Sequence, residues 1–207
     1  MDKILVTGAS GFIGSFIVEE ALNRGMEVWA AVRKSSSKEY LQDKRIRFVE
    51  LDLGNAERLK SQLGGHHFDY VVHAAGATKC LHRNDFYRVN TEGTKNLANA
   101  VIDLKMPLKR FVFISSLSVF GPVREQQPYE EIQETDQPMP NTAYGHSKLL
   151  AEQYLDSLNP KNEDGEITDV VLPYIVLRPT GVYGPREKDY FLMAKSIKQH
   201  IDFAVGY

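Results

Sequence analysis

The sequence predicts an α/β chain built on a doubly wound parallel sheet. Two observations carry that prediction. Apolar runs of strand length alternate with stretches of helical periodicity from end to end, the pattern that gives parallel strands joined by right-handed crossovers. The first of those runs, Ile4–Val6, passes through a glycine series straight into a helix. The 207 residues suffice for one such domain and the start of a second. Internal repeats and low-complexity tracts are absent.

The opening stretch organises the rest. After the strand come Thr7, then Gly8, Gly11 and Gly14 at intervals of three. A helical pattern follows, with Ile13, Ile17 and Ala21 on one face, Phe12 and Phe16 beside them, and Asn23-Arg24-Gly25 as the stop. A helix N-terminus offers free N–H groups and partial positive charge, which suits a pyrophosphate. Gly8 would let the turn tighten, Gly11 would let backbone approach phosphate, and Gly14 would let helix close on strand. Ser10, Phe12 and Ile13 lie on the same turn and complete the candidate cradle. The alternative is a glycine-rich turn with no ligand; the strand before it and helix after it favour a dinucleotide.

The second strand, Val28–Val32, ends in Arg33-Lys34 with no acidic residue. An acid here would hold ribose hydroxyls, whereas a cation suits a 2′-phosphate. This favours NADP over NAD, against the alternative of a solvated basic turn. A third strand, Ile46–Leu51, leads to Asp52-Leu53 and a short helix over Asn55–Leu63, stopped by Gly64-Gly65. His66 and His67 read as solvated turn residues, having no partner spaced for a metal. The fourth strand, Asp69–His73, runs into Ala74-Ala75-Gly76, small residues that let a flat ligand reach the backbone. A helix opens at Val89-Asn90 and continues to Leu104, and a fifth strand, Arg110–Ile114, delivers Ser115-Ser116.

From Pro122 to Thr142 four prolines and several acids exclude regular structure. The stretch reads as an active-site flap or, alternatively, a passive loop. A helix then starts at Ala143 and places Tyr144 and Lys148 on one face. Asn159–Asp169 reads as an exposed linker. Val170–Leu177 forms a sixth strand interrupted by Pro173, followed by Arg178 to Arg186 and a last amphipathic helix over Tyr190–Ile201.

Composition narrows the function classes. A net charge of −2 without basic blocks argues against nucleic acid. No apolar run reaches the ~20 residues of a membrane-spanning helix. Met1-Asp2-Lys3 leaves no room for a signal peptide, and the single Cys80 excludes an internal disulfide or a cysteine-ligated zinc, so no metal site is expected. The compartment expected is the cytoplasm.

The ordered set of motifs resembles the extended short-chain dehydrogenase/reductases, the family of nucleotide-sugar epimerases and dehydratases with a Rossmann fold, over the whole chain. Gly8-x-x-Gly11-x-x-Gly14 is similar to that family's glycine spacing. The resemblance implies that Asp52 and Leu53 touch adenine, that Ala74, Ala75 and Gly76 lie beside the cofactor, and that Asn90 is the family's structural asparagine. It makes Ser116 similar to the catalytic serine, and Tyr144 and Lys148 to the catalytic pair, with Lys148 also holding the nicotinamide ribose. Tyr40 and Lys44 share the Tyr-x-x-x-Lys spacing but precede the third strand, far from any serine-ended strand.

The resemblance implies an enzyme that moves hydride between nicotinamide and a carbinol or carbonyl carbon, with nucleotide sugars among its substrates. The Val32-Arg33 ending is closer to NADPH-dependent carbonyl reductases of the dihydroflavonol type. A rival of another class is a non-catalytic NADP sensor, which would keep the fold without turnover. Residues 1–178 are expected to form the dinucleotide-binding domain and 179–207 the start of a truncated substrate lobe. A homodimer through the helices at Asn90–Leu104 and Ala143–Leu158 is expected from related proteins. A lysine ammonium one turn from Tyr144 is expected to lower its phenol pKa.

Overall fold

The computed structural model describes residues 1–122, 130–133 and 135–201. Six strands form one sheet: β1 (Lys3–Thr7), β2 (Glu27–Val32), β3 (Arg47–Glu50), β4 (Tyr70–His73), β5 (Arg110–Ile114) and β6 (Tyr174–Leu177). All neighbours run parallel, in the order β3-β2-β1-β4-β5-β6. The chain therefore winds outward from β1 to β3, returns to lay β4 against β1, and winds outward again to β6. Beyond the carboxyl ends of β1 and β4, where winding reverses, a doubly wound sheet leaves a crevice. Thr7 pairs with His73 at that edge.

The inner strands are buried between helices, while β3 and β6 at the two edges stay partly exposed. Leu5, Val71, Phe111 and Phe113 pack with Leu59 and Leu63 of α2 (Ala56–Leu63), Leu97 and Val101 of α4 (Gly93–Asp103), and Leu155 of α5 (Ala143–Ser157). On the opposite face Ile4, Val6, Val28 and Ala30 meet Val18 and Leu22 of α1 (Phe12–Asn23). Between β4 and α4 stand a one-turn helix, α3 (Arg83–Phe86), and a π-helical turn over Tyr87–Glu92.

Four details depart from the sequence reading. The buried positions of α1 are Gly14, Ser15, Val18, Ala21 and Leu22, while Ile13 and Ile17 are half-buried. Gly14 packs on the backbone of the β1 turn, and that contact fixes the rotation of the helix. Phe12, Ile13, Phe16 and Ile17 instead line an apolar groove of about 540 Å³ against residues 182–185. Second, β6 begins after Pro173, whose carbonyl accepts the Phe111 N–H at 2.7 Å; a proline cannot itself donate to the ladder. Third, Asn159 is buried, its side chain bonded to both backbone groups of Leu172 at 3.0 and 2.9 Å. Fourth, His66 is half-buried and stacks on Phe68 at 5.8 Å, edge-on to Trp29.

The last helix, α6, covers Asp189–Lys198 and buries none of its residues. Of the acidic Pro122–Thr142 stretch, residues 123–129 and 134 lie outside the described residues, and the remainder holds no helix or strand before Ala143. No helix among the described residues is long and apolar enough to cross a membrane.

Candidate active site

The glycine turn is built by contacts of the chain with itself, except at one position. Gly8 adopts φ +68°, a conformation that favours glycine. A Cβ on it would stand 2.6 Å from the Ala75 nitrogen, so the loops after β1 and β4 touch there. A Cβ on Gly14 would stand 2.9 Å from Ala9 Cα, so the helix presses on the turn. Gly11 differs. Its Cβ would meet only the Gly8 carbonyl oxygen, at 3.2 Å. It is exposed, and as N-cap of α1 it supplies no side-chain cap for the first N–H groups. Those N–H groups face open space that a side chain would fill, which fits a phosphate. Ser10, Phe12 and Ile13 adjoin Gly11 in the chain, each half-buried, with Phe12 and Ile13 also lining the apolar groove against residues 182–185.

A hydrogen-bonded chain fixes the floor of the crevice. Thr94 Oγ1 donates to the Asn90 carbonyl at 2.6 Å, so it must accept from His73 Nε2 at 3.0 Å. The proton therefore sits on Nε2, and Nδ1 accepts from Thr7 Oγ1 at 2.6 Å. Thr7 Oγ1 in turn accepts the Ala75 N–H at 3.3 Å. The chain ties β1, β4 and α4 together with a neutral imidazole. Burial pushes the His73 pKa down to about 3, and the Lys148 charge adds to that effect. His73 was not among the residues singled out in the sequence; a histidine ending an apolar strand was the available signal.

Asn90, buried within the π-helical turn, accepts the Ala77 N–H at 2.7 Å and donates to the Ala77 carbonyl at 3.0 Å and Ser147 Oγ at 2.9 Å. It joins the Ala74–Gly76 loop to α5. Arg33 and the Asp52–Leu53 pair lie at the ends of β2 and β3. The exposed Arg33 guanidinium makes no ion pair among the described residues. Asp52 caps its own turn through Gly54 N at 3.1 Å, and the Leu53 carbonyl accepts from Asn96 at 2.8 Å. Tyr40, the decoy, lies 5.0 Å from the Arg186 guanidinium.

Ser116, Tyr144 and Lys148 converge on the same edge of the sheet. Ser116 caps the 3₁₀ turn Leu117–Val119 that follows β5. Thr142 caps α5 by accepting the Gly145 N–H at 3.0 Å, which starts the helix just ahead of Tyr144. Lys148 is 4% exposed and donates to the Ile114 carbonyl at 2.9 Å. Its Nζ lies 3.1 Å from where a Cβ on Gly76 would stand, which joins the helix to the crevice. Burial lowers the Lys148 ammonium to about 8, and Glu152 works against that. Tyr144 departs from expectation: burial pushes its phenol up, and the group that draws it back is Ser116, not Lys148. The ammonium keeps two donors beyond its bond to Ile114, and the influence on the phenol besides burial is the Ser116 hydrogen bond.

The family model described as NAD dependent epimerase/dehydratase matches residues 4–203. The chain belongs to that family. Members similar to it include the UDP-glucose 4-epimerase of Azospirillum brasilense, 30% identical over 74% of this chain and 43% of that protein. The 3-beta-hydroxysteroid dehydrogenase of Mycolicibacterium neoaurum is 28% identical over 100% of this chain and 55% of that protein. Among solved structures, the UDP-glucose 4-epimerase of Thermus thermophilus, in complex with NAD, superposes with a TM-score of 0.79 at 28% identity. That match covers 97% of this chain and 64% of the Thermus chain. The chain thus spans about half the length of the curated relatives it matches. Among the described residues no cluster of three His, Cys, Asp or Glu side chains could hold a metal ion.

Proposed function

We propose that this chain is the dinucleotide-binding part of an NAD(P)-dependent epimerase, dehydratase or dehydrogenase, with residues 179 onward beginning the substrate lobe. The reading is carried by one juxtaposition: Lys148 reaches the Gly76 side of the crevice from the helix that bears Tyr144. A nicotinamide bound there would accept or supply the hydride. Tyr144 would take the proton from a carbinol oxygen, or return it to the alkoxide. Ser116 would hold the same oxygen by a hydrogen bond, and its pull on the Tyr144 phenol supports that placement. Lys148 would hydrogen-bond the ribose and place positive charge near the phenol.

The cofactor preferred is NADP(H). Support comes from the exposed Arg33 guanidinium at the end of β2, without an ion pair among the described residues, and from the absence of an acid there, the feature shared with carbonyl reductases of the dihydroflavonol type. Nucleotide sugars and hydroxysteroids are the substrate classes that the relatives' names support. A cytoplasmic location and a homodimer along α4 and α5 belong to the same proposal, through the family resemblance.

The test combines binding and turnover. The protein should bind NADPH or NADH in a fluorescence titration, and Tyr144→Phe should bind equally well. Where a panel of UDP-sugars or hydroxysteroids gives turnover, Tyr144→Phe should lose about 10²-fold or more, the range of general acid–base catalysis. Binding of neither dinucleotide refutes the reading, and near-normal turnover by Tyr144→Phe removes the tyrosine from its role.

A further inference from the structure

We propose that Glu152 and Arg178 form a positioning pair that sets the place and the charge of Lys148, a proposal that rests on the role given to Lys148 above. Glu152 follows Lys148 by one turn of α5, so the two side chains share a face. Both are buried, at 5% and 4% exposure. A carboxylate so deep needs a cationic partner with several donors. Arg178, the first residue beyond β6, supplies one: Nη2 lies 2.7 Å from Oε2, and Nε lies 3.1 and 3.2 Å from the two oxygens.

The pair connects the parts of the site that must keep register. The Arg178 guanidinium stacks 5.0 Å over Phe120, which closes the turn that Ser116 opens. The neighbouring Pro179 carbonyl accepts the Leu117 N–H of that turn at 2.9 Å. One arginine therefore binds α5, the Ser116 turn and the end of β6 into a single unit. A lysine at 178 could not fork across both carboxylate oxygens while stacking on a ring.

The pair also governs charge. Lys148 faces the neutral His73 from β4, the Ile114 carbonyl from β5, Asn90 from the π-helical turn, and Tyr144 and Glu152 from its own helix. Glu152 is the carboxylate that acts on it. Arg178 draws on the same carboxylate, whereas the Tyr174 phenol of β6 donates to Asp156 at 2.9 Å. Lys148 and Arg178 therefore share one negative charge, and removing either end of the Glu152–Arg178 pair changes what Lys148 receives.

The experiment titrates the Lys148 side chain by NMR in isotope-labelled protein, its signal assigned by loss in Lys148→Met, with NADPH and NADH affinity measured on the same samples. Glu152→Gln should lower the Lys148 midpoint by on the order of one pH unit, a tenfold change in ionisation. Arg178→Gln should raise it, because the carboxylate then serves the lysine alone. Glu152→Asp should return it toward the wild-type value. A clamp with a purely structural role would shift Glu152→Gln and Arg178→Gln in one direction, and that result, or no shift in either, overturns the proposal. If Glu152→Gln does not fold, a midpoint in Arg178→Gln at or below wild type overturns it alone. Opposite shifts without dinucleotide binding by any of the proteins would uphold the pair and refute the functional reading beneath it.

Discussion

Gly11 and Gly14 stand three residues apart on one turn, yet alanine at each should damage a different property. At Gly14 the new Cβ would lie 2.7 Å from the Gly8 carbonyl carbon and 2.9 Å from Ala9 Cα. Both are backbone atoms, so no rotamer change relieves the overlap and α1 must lift from β1. Overpacking of this kind costs about 1–3 kcal/mol. At about 2–4 °C per kcal/mol for a domain of this size, Tm should fall by roughly 2–12 °C. At Gly11 the backbone is extended, φ −82° and ψ 175°, which alanine adopts freely. The one close neighbour, at 3.2 Å, requires a small adjustment. Against that stands a gain of about 0.4–1 kcal/mol from a stiffer unfolded chain. Tm should therefore hold within about 4 °C. Binding should suffer instead, since the side chain enters the space before the helix N-terminus. Loss of one charge-assisted phosphate contact, about 1.5–3 kcal/mol, is tenfold to hundredfold in affinity. Gly11→Val, bulkier and β-branched, should abolish binding. Circular-dichroism melting with calorimetric titration of NADP and NAD separates the two effects. A Gly11→Val protein that binds like wild type would misplace the cradle, and a Gly14→Ala protein that melts like wild type would refute the packing argument.

Two further outcomes follow from groups outside the glycine turn. Arg33→Ala should weaken NADP by about tenfold to hundredfold while leaving NAD unchanged, as separate titrations will register; equal NADP affinity would remove Arg33 from the site. His73 makes the fold acid-sensitive. Its folded pKa, about 3, lies below the ordinary value of 6.5, so the unfolded chain takes up a proton that the folded one refuses. Stability is then full above pH 6.5 and drains as pH falls toward 3, by about 1.4 kcal/mol per pH unit. His73→Asn cannot titrate, so urea unfolding at pH 7 and pH 5 should show a shallower loss than wild type, and parallel losses would count against the assignment.

The fold was readable because its signals are local. The inner strands of the parallel sheet are short, mostly apolar runs, and β5 falls over Arg110–Ile114 as the pattern marked it. The glycine spacing located the turn, and the serine-ended strand followed by Tyr144 and Lys148 marked the end of the sheet proposed as catalytic. What the sequence hid depends on contacts between distant residues. The rotation of α1 follows from Gly14 touching the β1 turn, so periodicity alone chose Ile13 and Ile17 over Val18 and Leu22. The phenol's surroundings could not be foreseen from a spacing of four, because burial and the Ser116 hydrogen bond, both products of the fold, set them. His73 and Glu152 look ordinary in a linear reading; only the third dimension brings Thr7, Thr94 and Arg178 to them.

The reversal of winding between β1 and β4 also constrains how the molecule comes to exist. Thr7 and His73 are 66 residues apart, and every strand of the outer half intervenes before they can meet. Closing so long a loop costs entropy before any contact repays it, and such non-local parallel pairing is slow. The β1–α1–β2 unit can form early from neighbouring sequence, with its helix N-terminus already in place. The Ala74–Gly76 wall arrives only when β4 docks. Competence to hold a dinucleotide should therefore emerge late in refolding, after most helical signal has returned. NADPH fluorescence in a stopped-flow refolding trace would then report the docking of the two halves, a step that helix-sensitive probes do not isolate.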